Sequence, residues 1–532
     1  MAAIITSNFR TVNASHFKEQ IEGSSVYVAI GKSDVWSLTT SDTTDTTPFV
    51  PSDNLDQLGE ARANLIGMKK IIPADIAHVV PRHTWTSGSA YFAWDSDDAS
   101  IFDKAFYIVT SEFKVYKCIK AGGGASSIQP TQTLTAPTAE SDGYTWKYMY
   151  TISVADAEKF LTNSYMPVKT VSLSASAVVA VASTTATIIL TETVPGIHVG
   201  MTVSGTNVGS SKTVSAINGS VLTLSGAPSG SVSGILTFAY AADSAAEAVL
   251  SEADYAQYLN QKASRDSTTA AGIERIEVTA GGTGYSANTN VAVTITGDGT
   301  GATVTTTAGV TVAGNAVTGI TIANKGTNYR VADIVISGGL GSDATARAVI
   351  APKAGHGVDP VSELGGFFVA LNSKLDGNDG GDITVGNDFR QITLINEPRA
   401  YNATPLGGNI ATADTLKATS YLDFNSSATV ANYTIDELIV GAGGAQAYVV
   451  EKDTSNGYLR YHQNSKTGYK AFVNGEVVTG QSSSQADTLE TSNAVGNPEV
   501  DRASGEILFL ENRNPISRTT TQIEDIKVII EF

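Results

Sequence analysis

Cysteine is almost absent from this chain: Cys118 is the single one among 532 residues. An intramolecular disulfide is therefore excluded, and the apolar run around Cys118 predicts a small buried side chain. Long apolar runs are missing too. No stretch approaches the roughly 18 apolar residues of a membrane-spanning helix, and residues 1–10 lack the basic and apolar regions of a signal peptide. We expect a soluble protein made in a cytoplasm, with no membrane insertion.

Catalytic motifs are also missing. The sequence has no Walker-type phosphate loop, no Gly-x-Ser-x-Gly nucleophile elbow and no His-Glu-x-x-His zinc motif. Its histidines are scattered, and His78 and His83 flank a proline without sharing a helix face. We therefore predict that the chain is not an enzyme and uses no metal and no cofactor.

Basic residues are too few to balance the acidic ones. Lys and Arg number 34 against 52 Asp and Glu, and the net charge of −18 is spread over the chain. Such a surface repels phosphate backbones, so we expect no nucleic-acid partner. The excess charge instead favours solubility before assembly.

Glycine, threonine, serine and valine are abundant. Fifty glycines among short β-branched runs predict many short strands joined by tight turns. The chain is 42% hydrophobic and long enough for about three to five domains. We predict a mainly β, multidomain protein, in which a discontinuous scaffold of α+β or β-sandwich type carries small inserted all-β domains.

Residues 1–167, the first part of this scaffold, mix the patterns of helices and strands. Ser153 and Asp156 form a capping-box signal at the start of one helix. Apolar periodicity and turn residues predict helices at 15–21, 52–67 and 154–161, and strands at 25–30, 106–109, 113–119 and 144–152.

The composition changes after residue 167. Short apolar and Thr-rich runs separated by glycine predict an inserted all-β domain over residues 168–243, with a hairpin turn at Asn218 and Gly219. A helical connector is expected over residues 244–272, with a second helix start signal at Ser251. The strands of the all-β domain are expected at 186–190, 201–204, 213–217, 221–224 and 235–238.

Residues 273–353 contain an internal repeat. The segment 276–285 is echoed 44 residues later by 320–329, and the copies end on Tyr285 and Tyr329. Two copies are too few for a long solenoid, so we predict a compact inserted β module. We expect each tyrosine to pack beside a glycine turn, and glycan binding is the alternative.

Scaffold-like sequence returns at residues 354–400 and 501–532, on either side of a further β insertion at 401–500. A scaffold that is interrupted and then resumed is typical of small domains inserted into loops of an older fold. We therefore expect residues 1–167, 354–400 and 501–532 to form one body that carries the inserted segments.

Three loops have the composition of ligand sites. The glycine-rich segments 281–284 and 297–301 resemble phosphate loops, but no helix opens after either, so turn glycines are the better interpretation. The run 376–382, from Asp376 to Asp382, is compatible with a hard cation. Because Asn387 stands where a calcium loop places glutamate, we favour a flexible acidic turn.

The scaffold segments contain a series of short motifs: residues 6–10, 30–36, 80–85, 115–118, 142–148, 386–392, 396–398 and 504–516. Taken in order, these motifs resemble one protein family, the gene-eight-product baseplate wedge subunits of T-even-like contractile-tailed bacteriophages. The resemblance covers about half of the chain, and the large insertions at 168–353 and about 401–500 depart from it.

The resemblance implies a function. It implies a mostly β structural subunit that forms a homodimer and joins other wedge proteins around the tail tube. It also implies a location in the virion tail baseplate, after assembly in the host cytoplasm. The mechanism would be geometric, because a rigid dimer presents surfaces to its neighbours until the baseplate changes shape.

Eight scaffold residues are candidates for packing and interface contacts. The aromatic ones are expected to anchor the fold, and residues 511–513 are expected to form a turn that pairs charges across a core or a dimer contact. Ordinary folding without a partner contact is the alternative for each. The candidates are Trp36, Trp85, Trp146, Phe389, Arg390, Glu511, Asn512 and Arg513.

Binding to the host surface is the alternative function from another class. The inserted β domains would then recognise a glycan or a receptor. A polysaccharide-degrading tail enzyme is a third hypothesis, but it requires paired carboxylates facing a groove, and no pair stands out in the sequence.

Overall fold

The computed structural model describes residues 3–37, 39–192, 194, 196–267, 271–286, 290–305 and 309–532. Its sheets are antiparallel, and the protein is mainly β, as the composition predicts. The chain divides into two compact units. Unit 1 comprises Met1–Glu19, Ala77–Ala370 and Ile529–Phe532, and unit 2 comprises Gln20–Ile76 and Leu371–Val528. The domain boundaries drawn from the sequence do not coincide with those of the two units, since residues 20–76 lie within the predicted segment 1–167, and they stay a prediction.

A four-stranded antiparallel sheet forms the aromatic core of unit 1. Tyr107–Val109 pairs with Lys114–Lys120 as the predicted hairpin, and the next strands are Thr145–Thr151 and Thr138–Ala139. A further strand of unit 1, Tyr165–Val168, pairs with residues 78–81 of Ile76–Pro81.

Two helices test the helix signals in residues 1–167. Val154–Phe160 is confirmed, with the Ser153 hydroxyl accepting the Asp156 backbone N–H at 3.0 Å. The first helix, Ser7–Gly23, begins earlier than predicted. The Thr6 hydroxyl accepts the Phe9 backbone N–H at 3.2 Å, so Thr6 caps the first turn.

The helical connector is split, as the start signal at Ser251 indicates. Asp243–Glu247 is followed by Glu252–Arg265, because the Ser251 side chain accepts the Asp254 backbone N–H and begins a new helix. A short helix, Pro360–Leu364, and one 3₁₀ turn, Ile101–Asp103, complete the helices described in unit 1.

The segment 168–243 forms a six-stranded antiparallel sheet, and all five strands predicted there are present. A sixth strand, Ser174–Val181, was not predicted because its small residues lack a clear alternation. Large side chains such as Leu236 and Phe238 form the core on one face. In sheet order the strands are Thr202–Ser204, Ile235–Ala239, Ser174–Val181, Thr187–Leu190, Val221–Leu224 and Val214–Asn218.

The repeat module is also a sheet structure. A six-stranded and a two-stranded antiparallel sheet together contain both copies of the repeat. The six strands, in order, are Val291–Gly297, Ala332–Gly338, Ser342–Ile350, Ile273–Thr283, Ala316–Ile320 and Val310–Ala313, and the two are Thr300–Val304 and Ile322–Thr327.

The two copies of the repeat exchange their tyrosines. Tyr285 of the first copy lies against Gly341, just after the strand Ala332–Gly338 that follows the second copy, and an added Cβ on Gly341 would lie 2.4 Å from the ring. Tyr329 of the second copy lies against Gly299, just after the strand Val291–Gly297 that follows the first copy, again with 2.4 Å between the ring and an added Cβ. The predicted packing beside glycine turns is confirmed, and the exchange explains how two copies suffice for a core.

Unit 2 contains two larger antiparallel sheets. One has the order Thr415–Lys417, Leu65–Lys70, Val26–Gly31, Asp388–Asn396 and Glu506–Ser517. The other has the order Ala486–Thr488, Val477–Gly480, Leu438–Gly441, Gln446–Asp453, Tyr458–His462, Ser420–Asp423 and Val495–Gly496. A two-stranded pair, Arg399–Ala400 with Val500–Asp501, accompanies them.

The helix predicted at 52–67 is shorter in the structure. It spans Leu55–Ala63 and ends at Asn64. Leu65 and Ile66, which the sequence pattern assigned to the helix face, instead begin the buried strand Leu65–Lys70. Unit 2 also contains the 3₁₀ turns Pro73–Asp75, Asp379–Gly381 and Ser427–Asn432. The points where the chain passes between units lie in one helix, Ser7–Gly23, and in three strands, Ile76–Pro81, Phe368–Asp376 and Ile523–Glu531.

Candidate functional site

A buried polar cluster in unit 2 begins where the strand Val26–Gly31 ends. Lys32 adopts a left-handed conformation with φ of 64°, and its backbone N–H donates to the Asn64 carbonyl at 2.9 Å. An added Cβ on Gly31 would lie 2.8 Å from that same carbonyl oxygen, so only glycine fits this close approach. The turn directs the next side chains into the interior.

Asp34 lies at the centre of this cluster. Its carboxylate pairs with Lys32 Nζ at 2.7 Å and Lys466 Nζ at 2.8 Å, and accepts Asn464 Nδ2 at 3.0 Å. Burial opposes ionisation of Asp34, but the nearby charges outweigh it and hold the pKa of Asp34 below its usual value. His462 Nε2 lies 3.8 Å from the carboxylate, and burial lowers the pKa of His462 to about 4, so its ring is neutral.

Arg390 forms a second set of buried ion pairs. Its guanidinium donates to both oxygens of Asp45, at 2.9 and 2.8 Å, and to Asp388 at 2.9 Å. A further N–H donates to the Ser33 carbonyl. Asp45 also accepts the Trp36 backbone N–H at 2.8 Å. Such a bidentate arginine–carboxylate pair fixes orientation as well as charge.

Asp436 lies at the edge of this set and is poorly solvated. One of its oxygens accepts the Asp388 backbone N–H at 3.3 Å, and the other, which is buried, has no hydrogen-bond partner among the described residues. Burial raises the pKa of Asp436 to about 7. Asp436 is therefore a carboxyl group that changes charge near neutral pH.

Four of the predicted candidates meet at this cluster. Trp36 Nε1 donates to the Arg513 carbonyl at 2.8 Å, and its ring packs edge-on against Phe49. Gln391 Nε2 donates to Asn512 Oδ1 at 2.8 Å, and Asn512 Nδ2 donates to the Phe49 carbonyl at 2.9 Å. Trp36, Arg390, Asn512 and Arg513 are thus linked through direct contacts or one shared neighbour.

The predicted turn at residues 511–513 is wrong. These residues lie inside the long strand Glu506–Ser517, where Gln391 faces Asn512. Alternation along the strand places Glu511 and Arg513 on one face, and Arg513 Nε lies 3.6 Å from a Glu511 oxygen. The Arg513 side chain is 37% exposed and the Glu511 side chain is 40% exposed. Phe389 is fully buried. The charged pair is therefore partly open to a partner, whereas Phe389 is not.

A cavity of about 210 Å³ lies beside the cluster. Its polar walls include both lysines that pair with Asp34, so the charges facing it are already partly neutralised. The arrangement suits rigid positioning, because the Asp34 carboxylate accepts three donors and is not free to act as a base. The lining residues are Lys32, Trp36, Ser37, Phe49, Gln57, Glu60, Asn64, Gln391, Ser465, Lys466, Leu510 and Asn512.

The remaining two candidates lie in unit 1 and are not part of this cluster. Trp146 is fully buried and stacks on Tyr144 with 5.6 Å between ring centroids, while Tyr91 packs edge-on against it. Trp85 is half-buried and donates through Nε1 to Ser126 Oγ at 3.2 Å. Both tryptophans serve an aromatic core.

Unit 1 has a buried ionic cluster of its own. Lys117 is fully buried, and its Nζ lies 2.9 Å from Glu363 Oε2. The other Glu363 oxygen accepts three backbone N–H groups, from residues 357–359. His356 lies between Glu363 and Glu274, at 3.9 and 3.7 Å, and burial lowers its pKa well below the usual value.

Lys147 is the cation of this cluster that lacks a carboxylate in the described part of the chain. Its Nζ donates to the Thr135 carbonyl at 2.5 Å, Ser264 Oγ at 3.0 Å and Asn260 Oδ1 at 3.4 Å. Burial lowers the pKa of Lys147 to about 8. Lys147 therefore loses its positive charge at a pH closer to neutrality than an ordinary lysine does.

Sequence reasoning missed several residues of these clusters. Lys32 and Asp34 were noted only as part of a motif, and His462, Asn464 and Lys466 lie in a segment interpreted as an insertion. The available signal was the polar run that follows the strand Tyr458–His462. From the sequence alone, that run is predicted to be a solvent-exposed turn.

Two of the three aspartates in the acidic loop at 376–382 have partners within the chain. Asp379 pairs with Lys69 at 2.8 Å, and Asp382 accepts the Thr415 hydroxyl at 2.6 Å. A search of the described residues finds no group of histidine, cysteine, aspartate or glutamate side chains able to hold a metal ion. The same residues contain no helix long and apolar enough to cross a membrane.

Comparison with known proteins agrees with the motifs. Residues 3–124 match the model of a family described as Bacteriophage T4, Gp8. The baseplate wedge protein gp8 of Enterobacteria phage T4 is 23% identical over 202 residues, which cover 31% of this chain. The chain thus spans 60% of the length of that relative. The resemblance noted from the sequence is confirmed, with the family match located in residues 3–124.

Proposed function

We propose that this protein is a structural subunit of the baseplate wedge in a contractile phage tail. The observation that carries the proposal is the family match over residues 3–124, together with the relative named as a baseplate wedge protein. Ion pairs of buried cations in each unit are consistent with a rigid part of an assembly, because each of these pairs joins two segments that are distant in sequence. The protein would reside in the virion tail after assembly in the host cytoplasm.

Homodimer formation and contact with other wedge subunits belong to the same proposal. Permanent interfaces in such assemblies commonly bury about 2,000–5,000 Å². Glu511 and Arg513 are the candidates with exposed charge, so a partner would meet them directly. The buried candidates, among them Trp36 and Arg390, would act by holding that strand in place.

Light scattering of the purified chain at micromolar concentration tests the dimer, and a strict monomer would contradict it. The charge reversal Arg513→Glu should weaken self-association by about tenfold if this face is used. Arg265→Glu is the matched control, since the Arg265 side chain is 41% exposed and pairs with its neighbour Asp266. If both variants dissociate equally, the strand Glu506–Ser517 does not lie in the dimer interface.

A cryo-electron map of the intact particle tests the baseplate role. The proposal expects density for unit 1 and unit 2 in the wedge, in contact with other tail proteins. Density elsewhere in the virion would contradict it, whatever the oligomeric state of the isolated chain.

A second candidate function, binding to the host surface, is favoured by the outer face of the sheet in residues 168–243. Ile235 pairs in register with Val178, and Ile189 pairs with Val181, and all four side chains are exposed. Exposed aliphatic pairs on a sheet face are typical of a contact surface. Whole-cell binding by the chain and by the Ile235→Ser, Val181→Ser variant tests this role, and unchanged binding would exclude this face.

A further inference from the structure

A groove of about 760 Å³ in unit 1 is built by segments that are distant in sequence. Its floor is aromatic: Phe367 and Phe368 are almost fully buried, and Phe102 packs edge-on against Phe367 with 5.9 Å between centroids. Residues 4–10, 81–103, 352–368 and 531 contribute to the lining.

One wall of the groove exposes large aliphatic side chains. Ile4 is 84% exposed and Ile5 is 69% exposed, and both line the groove. Arg10 completes this wall. Its guanidinium carbon lies 3.6 Å from the centre of the Phe367 ring, and it pairs with Glu531 at 2.5 Å. The two isoleucines and the phenylalanine floor give the groove a strip of apolar surface beside its polar lining residues, and we refer to this strip as the trough.

The charges around the groove leave one carboxylate unpaired. Four of its carboxylates have cations of this chain as partners: Asp95 with Arg347, Asp98 with Lys104, Glu363 with Lys117 and Glu531 with Arg10. Asp103 is the exception. It is exposed, and no hydrogen bond or ion pair involves its carboxylate among the residues described.

We propose that this groove docks an extended segment of a partner protein that carries large apolar side chains and one basic residue. The apolar side chains would fill the trough between Ile4, Ile5 and the phenylalanine floor, and the basic side chain would reach Asp103. This adds a partner chemistry that the proposed function does not specify, and it stands whether or not the chain occupies a baseplate.

A second copy of the chain fits the groove less well. The chain carries a net charge of −18, and the one lysine or arginine lining the groove, Arg10, is already paired with Glu531. Facing copies would therefore bring two Asp103 carboxylates towards each other with no free cation from the groove between them. Charge complementarity selects a basic partner.

The test uses fluorescence anisotropy with labelled synthetic peptides and the full chain. The probe is acetyl-Ser-Leu-Arg-Leu-Ser-amide, and the two comparison peptides replace its arginine by glutamate or both leucines by serine. We expect the arginine peptide to bind about tenfold more tightly than the glutamate peptide, and the serine peptide to lose binding. Equal binding of the first two, or no binding of any, overturns the proposal.

Variants of the protein make the test specific. Asp103→Lys should weaken binding of the arginine peptide by about tenfold and strengthen binding of the glutamate peptide, since the charge pair is reversed. The double variant Ile4→Ser, Ile5→Ser should weaken the binding of both peptides. Glu192→Lys is the matched control, because Glu192 is an exposed carboxylate away from the groove, and it should change neither affinity.

Two results would contradict the assignment even if peptides bind. If Asp103→Lys and Glu192→Lys lower binding equally, the attraction comes from net charge and not from the groove. If Asp103→Lys instead changes the molecular mass measured by light scattering, the groove is filled by a second copy.

Discussion

The buried ionic clusters of the two units differ in how their charges are matched. In unit 2, Asp34 holds Lys32 and Lys466 directly, and a separate carboxylate, Asp45, holds Arg390. In unit 1, Glu363 holds Lys117, while Lys147 is left with neutral acceptors.

The difference shows that burial alone does not decide whether a side chain stays ionised. The carboxylate of Asp34 stays ionised because cations surround it, whereas the pKa of Lys147 falls to about 8 because burial outweighs the attraction of Glu363. A buried pair costs desolvation energy, and removing one partner costs more than the pair contributed. The following variants test this contrast.

The largest loss is expected for Asp34→Asn. It leaves Lys32 and Lys466 buried without a counter-charge, which should cost about 3–5 kcal/mol of unfolding free energy. Urea titration followed by hydrogen exchange of residues 26–36 measures the loss. The triple variant that also carries Lys32→Met and Lys466→Met should recover much of it, and a loss below about 1 kcal/mol for Asp34→Asn alone would contradict the ionic account.

Glu363→Gln should lower the free energy of unfolding by a smaller amount, about 2–3 kcal/mol. The amide oxygen keeps an acceptor for the backbone N–H groups of residues 357–359, so only the charge opposite Lys117 is lost. Hydrogen exchange at residues 114–120 reports the effect. A loss larger than that of Asp34→Asn would reverse the ranking of the two clusters.

Asp436→Asn tests the carboxyl group whose pKa is raised to about 7. The folded state binds this proton more tightly than the unfolded state, so stability falls as the pH rises from about 4 to 7. The variant should therefore be about 1–2 kcal/mol more stable than the parent at pH 8 and nearly equal at pH 4. Asparagine tolerates the φ of 63° at this position, and the exposed Asp42→Asn is the control.

The smallest effect is expected for Lys147→Met. The lowered pKa of Lys147 means that stability rises as the pH rises through about 8 towards its unfolded value. Removing the charge should stabilise unit 1 by about 0.5 kcal/mol at pH 7, because the lost hydrogen bonds offset most of the gain. That advantage should vanish by pH 10, and a constant advantage would point to packing instead.

Local signals predicted most of the elements. The cap at Ser153, the hairpin of Tyr107–Val109 with Lys114–Lys120 and the tyrosine repeat are all encoded by neighbours in sequence, and each is present. Errors arose where a local pattern had two solutions. Leu65 and Ile66 fit a helix face as well as a strand, and only the pairing of Gly31 with Leu65 decides between them.

The candidate site was predicted less completely, for a physical reason. Trp36 is predicted as an aromatic anchor, Arg390 as a scaffold residue and Asn512 as part of a charge-pairing turn, but their partners come from distant segments. Nothing local in Asn464 or Lys466 says that Asp34 will lie 3 Å away. The charge matching of a buried cluster is a property of the fold.

The division of the chain has a consequence for biosynthesis. Because Met1–Glu19 and Ile529–Phe532 belong to the same unit, folding of that unit cannot finish until both segments have been synthesised. The unit that contains Gln20–Ile76 likewise depends on the later segment Leu371–Val528. The tyrosine-exchanging repeat is contiguous and faces no such delay, so it can mature during translation while both halves of the molecule remain unfinished.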